Sequence, residues 1–183
     1  MAAVRASIVV SFWRDAGRAR WYAKDERFDA EIRERFEAAH HAAARGELAG
    51  WAAEWEGSLA LLLLLDQFPR NIFRGSAHAF ATDPLARSIA RAALAAGHDR
   101  AAPAEFRMFF YLPFEHSEAL ADQALCVELC EAFEAEGGDD AQWARLHRDI
   151  IVRFGRFPHR NAALCRETTE PERAFLADGG FAG

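Results

Sequence analysis

Residues 56–68 read EGSLALLLLLDQF, and the uninterrupted apolar run from Leu59 to Leu65 at their centre decides the fold class. On a helix that turns 100° per residue, such a run puts apolar side chains on every side, so the segment reads as a helix buried all round and as the central core element. The run is far short of the roughly 20 apolar residues that carry a helix across a bilayer, so it is no membrane anchor. Outward from it, apolar residues recur at three- and four-residue intervals and no stretch alternates with period two, which predicts helices and no strands. Phe28, Ile32, Phe36 and Ala39 line one face of a helix expected over 28–45, and Trp143, Leu146, Ile150 and Phe154 mark another over 141–154.

Punctuation supplies the remaining boundaries. A first short helix is expected over 8–15, closed by Gly17. Pro69 is expected to stop the leucine helix, because proline lacks the N–H a helix interior needs. Thr82 or Asp83 can cap a helix over 84–96 with Pro84 in its first position. A helix over 104–112 ends at Pro113, and the next begins with Ser117 as N-cap and runs to residue 136. Thr169 and Glu172 have the spacing of a capping box, which predicts a short last helix to about Leu176. The expectation is one domain over residues 1–183: an antiparallel array of about seven helices, with the GGFAG tail fraying.

Bulk properties narrow the function. At 51% hydrophobic the chain can bury a sizeable core, and its net charge of −6 argues against binding nucleic acid over its whole surface. The three cysteines, Cys126, Cys130 and Cys165, lack the dense pairing of a secreted disulfide scaffold, and Cys126 and Cys130, four apart and so on one helical face, read as small core residues. With a short apolar stretch at its N-terminus and no cleavage signature, the chain is expected to be cytoplasmic. The sequence implies no cofactor and no membrane partner.

Unusual polar chemistry is concentrated in three segments: 66–75 (DQFPRNIFRG), 111–118 (YLPFEHSE) and 153–161 (RFGRFPHRN). The first follows the core helix, and polar residues at the end of a rigid buried element are well held. The third repeats its theme of Phe-Pro followed by basic residues and an asparagine, so the two Phe-Pro turns look like related devices. Three readings stay open. The segments form a structural network of caps and ion pairs. Or they line a groove that holds an acidic peptide, a protein or a small anion on Asp66, Gln67, Arg70, Asn71, Arg74, Glu115, His116, Arg153, Arg156, His159, Arg160 and Asn161. Or Glu115, His116, Glu118, Asp122 and His159 build a metal-assisted hydrolytic centre. No Gly-rich phosphate loop, nucleophile elbow or HExxH motif accompanies them, and the reading favours a binding protein over an enzyme. His40 and His41 are adjacent on a helix, point apart, and read as solvated side chains. The tryptophans, Trp13, Trp21, Trp51, Trp55 and Trp143, read as packing anchors.

These same strings carry a resemblance. Phe12-Trp13, Trp21, Asp25 and Phe28, then LLLLLDQFPRNIFRGSAHAFATD, YLPFEHSEALADQ, HRDIIVRFGRFPHRN and ETTEPE, resemble the bacterial domain-of-unknown-function 924 family over nearly the whole chain. The resemblance implies a tetratricopeptide-like α-α array and no particular activity. The family usually has FWFG where this chain has Phe12-Trp13-Arg14-Asp15, which implies a looser first turn.

Overall fold

The structure, a computed structural model, describes residues 4–181, and every regular element among them is helical. In chain order these are α1 (Ala6–Ala16), α2 (Arg18–Trp21), α3 (Glu26–Ala44), α4 (Trp55–Leu62), α5 (Phe68–Ile72), α6 (Asp83–Ala95), α7 (His98–Ala101), α8 (Met108–Glu115), α9 (Leu120–Ala135), α10 (Gln142–Phe154) and α11 (Glu170–Ala177), with short 3-10 turns between them. Two compact units emerge, one of residues 4–74 and 78–113, the other of 75–77 and 114–181. The chain passes from the first to the second within α8. Elements such as α2 and α7 span four residues each, too short to show a period, which is why the spacing of apolar residues suggests fewer and longer helices.

In the first unit, Leu59 to Leu65 are all buried, as a helix apolar on every side requires. Around them sits an aromatic cluster in which Trp13 stacks on Phe28 at 5.9 Å and Phe36 meets Phe68 at 5.1 Å. Asp25 caps α3 by accepting the N–H groups of Arg27 and Phe28. Gly57 is required by packing: a Cβ there would fall 1.8 Å from the Trp51 carbonyl oxygen, which the 3-10 turn Ala49–Ala53 lays against α4.

Pro69 does not stop the core helix. A π-turn over Leu63–Gln67 precedes it, and the chain continues as α5 with Pro69 in its first turn, where a missing N–H costs least. The π-turn has a consequence for nearby side chains. Phe68 N–H goes to Leu63 O and Pro69 has none to give, so carbonyls in this turn find side-chain donors. The His40 Nδ1 lies 2.8 Å from Leu64 O, the Thr82 hydroxyl donates to Leu65 O at 2.6 Å, and Arg70 donates to Asp66 O at 2.6 Å. Thr82 is therefore the N-cap residue of α6 by position only, with its hydroxyl used elsewhere. Nor does Pro113 end its helix: it lies inside α8, two residues before the end, where the lost hydrogen bond is offset by burial of Phe109, Phe110, Leu112 and Phe114. Helix α9 starts at Leu120, and Ser117 accepts the Ala119 N–H at 3.2 Å before the first turn.

In the second unit, α9 packs on α10, and Gly155, at φ +70°, ends α10 in the left-handed conformation that favours glycine. The buried face of α10 is Ala144, His147, Ile150 and Ile151, whereas Trp143 is 54% exposed. Trp143 is thus no core anchor; a buried histidine obscured the phase of this helix. Ile150, Ile151 and Phe157 form a core joined by Phe154, Phe175 and Phe181. The tail is anchored as far as Phe181, whose ring lies 4.5 Å from His147, and Gly180 N–H bonds Phe175 O. Ala182 and Gly183, the rest of the expected fraying tail, lie outside the described residues.

Candidate functional site

The first polar segment is satisfied within the first unit. Asp66 is buried, accepts a hydrogen bond from the Gln67 amide and pairs with Arg70 at 3.2 Å. Arg70 also grips Asp83 with both terminal nitrogens at 3.0 Å. Burial works against the Arg70 charge, but Asp66 and Asp83 outweigh it and push its pKa up. Asp29 of α3 collects the rest: Asn71 Nδ2 donates to it at 2.8 Å, and Arg74 binds it bidentately at 2.9 and 3.0 Å. Asp29, Asp83 and Thr82 complete the segment from 13 to 45 residues away in sequence, which spacing within a segment does not reveal.

The second and third segments meet in the second unit. Glu118 accepts the Phe157 N–H at 3.0 Å and both terminal nitrogens of Arg166 at 2.8 and 2.9 Å. Burial opposes the Glu118 charge, but these donors prevail and hold its carboxyl below the usual range. Arg160, buried, donates to His116 O at 2.9 Å. The Gln123 amide donates to the carbonyls of Glu115 and Ser117, both at 2.6 Å, tying down the chain between α8 and α9. Glu115 lies 3.5 Å from His147, and Asp122 accepts from Ser117 at 2.7 Å. His159 packs edge-on against Phe181 at 5.2 Å. Among the described residues, Glu115, His116, Glu118, Asp122 and His159 form no set of converging ligand atoms.

Arg156 is clamped to Glu172 at 2.6 and 2.9 Å, and Glu172 also accepts the Thr169 N–H at 2.7 Å, completing the capping box at the start of α11. The Arg156 hydrogen bonds, helped by Thr169, pull the Glu172 pKa down to about 2. Asn161 reaches the same carboxylate at 3.3 Å. The two Phe-Pro sequences are different devices: Pro69 continues a helix after a π-turn, whereas Pro158 follows an extended Phe157 into a 3-10 turn over Pro158–Arg160. What precedes each proline decides this, a π-helical turn in one case and a glycine-terminated helix in the other.

Arg153 differs from these arginines. It is exposed, and its guanidinium lies over the rings of Phe154 at 4.7 Å and Phe175 at 5.6 Å, with no carboxylate partner among the described residues. With Phe154, Arg156, Thr169, Pro171 and Glu172 it lines an open cleft of about 570 Å³. A second cleft, of about 390 Å³, lies in the first unit between α1 and α3 and includes Asp15, Arg20, Glu31 and Arg35. There Arg35 and Arg20 face Glu31 at 3.2 and 3.9 Å, so its charges are mutually balanced.

His40 is wholly buried, not solvated, and its ring centre lies 5.0 Å from that of His41: adjacent Cβ atoms diverge by 100°, but both rings bend toward Phe73 and His78. Cys126 and Cys130 are buried with their sulfurs 3.8 Å apart, and their hydrogen bond together with burial pushes the Cys126 thiol pKa up, as befits core thiols.

The family model described as "Bacterial protein of unknown function (DUF924)" matches residues 9–180. A solved structure titled as a protein of unknown function from Agrobacterium tumefaciens is 53% identical, covering 95% of this chain and 97% of that one with a TM-score of 0.89. No curated protein matches significantly.

Proposed function

The chain belongs to the bacterial domain-of-unknown-function 924 family, and from its own groups we propose that it is a binding protein whose second unit takes up an acidic peptide on Arg153. The observation that carries this reading is the contrast among the arginines of the three segments. Arg70, Arg74 and Arg156 are each clamped by carboxylates, and Arg160 is spent on a backbone carbonyl. Arg153 is held on two aromatic faces at the mouth of a cleft, its N–H fork turned to no acid among the described residues. A planar guanidinium so presented matches a carboxylate bidentately, and the aromatic platform limits the side-chain entropy lost on binding.

The wider groove expected from sequence thereby contracts. Asp66, Gln67, Arg70, Asn71, Arg74, Glu115, His116, Arg156, His159, Arg160 and Asn161 serve as scaffold, and Arg153 is the contact residue. A tetratricopeptide-like pairing of helices is part of the same reading, since such arrays present surfaces to peptides, an analogy from fold alone.

Fluorescence anisotropy with a labelled oligoglutamate peptide tests this. A charge-assisted hydrogen bond contributes about 1.5–3 kcal/mol, so Arg153→Gln is expected to weaken binding by roughly ten- to a hundredfold with the fold intact. Equal affinity of the parent and the variant, or no binding by the parent at low salt, would refute the proposal.

A further inference from the structure

His40, His41 and His78 bring one ring nitrogen each within 4.8 Å of one another in the first unit. Two are consecutive on α3, and the third sits in the 3-10 turn Ala77–Phe80. The ring centres of His41 and His78 are 5.8 Å apart, and those of His40 and His78 are 5.9 Å apart. Phe73 stacks on His78 at 4.1 Å and 6°, fixing the ring of the most exposed member.

The chemistry of His40 is settled by its neighbours. Leu64 O can only accept, so His40 Nδ1, 2.8 Å away, carries the proton and donates. The lone pair is then on Nε2, which is buried and has no hydrogen-bond partner. An imidazole that donates one N–H to a backbone carbonyl and presents its other nitrogen bare is the arrangement of a metal-bound histidine. The carbonyl is available to His40 because the π-turn and Pro69 deprive Leu64 O of a backbone donor. Such π-turns are frequent at functional sites.

We propose that His40, His41 and His78 form a binding site for a divalent transition-metal cation of the zinc class. Three imidazoles select zinc, copper or nickel over magnesium and calcium, which require oxygen ligands. Three nitrogens leave a fourth position for water or an outside ligand. Zn–N bonds of about 2.1 Å place tetrahedral ligands roughly 3.4 Å apart, so the cluster closes by on the order of 1 Å. The half-buried His41 is the side chain that this closure moves, since His40 is buried and held by Leu64 O and His78 is held by Phe73. Glu37, with Oε1 4.0 Å from His41 Nε2, adds a nearby negative charge.

The test is calorimetric titration of the untagged, chelator-stripped chain with Zn²⁺, alongside Co²⁺ absorption spectra. One ion per chain is expected, with tetrahedral Co²⁺ bands free of a thiolate charge-transfer band. His78→Phe, which keeps a ring on Phe73, and His41→Ala are expected to lose about tenfold or more in affinity. Their circular dichroism reports whether they fold. Binding unchanged in the folded variants, a thiolate band, or no stoichiometric binding by the parent would overturn the assignment. The Co²⁺ spectrum of the parent decides even if a variant does not fold. Arg153 takes no part, so this outcome is independent of peptide binding.

Discussion

Replacing Glu172 by glutamine removes one charge while keeping a side chain that still completes a capping box, and so isolates the ion pair with Arg156. The Glu172 side chain is 3% exposed and its pKa falls from 4.5 to about 2. At 1.36 kcal/mol per unit that corresponds to about 3 kcal/mol of stability. Arg156, 29% exposed, admits water that screens the pair, so about half of this, ~1.5 kcal/mol, is expected. Because the folded-state pKa is depressed, the contribution is fully present above the unfolded value of 4.5 and is lost as pH falls towards 2. Urea unfolding of the parent and Glu172→Gln, followed by circular dichroism, should give a gap of ~1.5 kcal/mol at pH 7 that shrinks steadily below pH 4.5. The difference between the two proteins cancels the titration of every other carboxylate. A gap of the same size at pH 7 and pH 3 would show that the charge on Glu172 contributes nothing, and the reasoning would fail.

Other perturbations test the same picture. Asp29→Ala strands the buried Asn71 amide and should cost about 1–3 kcal/mol, whereas Arg74→Ala, removing a side chain 40% exposed, should cost less than half as much; equal losses in thermal unfolding would contradict the hydrogen-bond assignment. Gly57→Ala meets the Trp51 carbonyl, a rigid backbone atom, and should destabilise by about 3 kcal/mol or more; an unchanged melting temperature would mean the turn yields freely. Phe68→Ala empties a buried site against Phe12, Trp13 and Phe36 and should cost about 3–5 kcal/mol in urea unfolding.

The chain by itself determined the helical class, the burial of Leu59 to Leu65, the closure of α10 at Gly155 and the capping box of Thr169 and Glu172. These depend on groups a few residues apart, whose geometry one helical turn defines. Tertiary structure decided the rest. Asp66 and Arg70 are close in sequence, yet Asp83, Asp29 and Arg166, which determine whether an arginine or glutamate is spent or available, come from other elements. Whether Pro69 breaks a helix depended on a π-turn that no spacing rule announces. The histidines show the division most clearly: His40 and His41 diverge on an isolated helix, and only the packing of α3 against the π-turn and the 77–80 turn buries one ring, sets its tautomer and brings His78 to it. Side-chain chemistry is written in the sequence, but what each group is free to do is set by partners that only folding brings within reach.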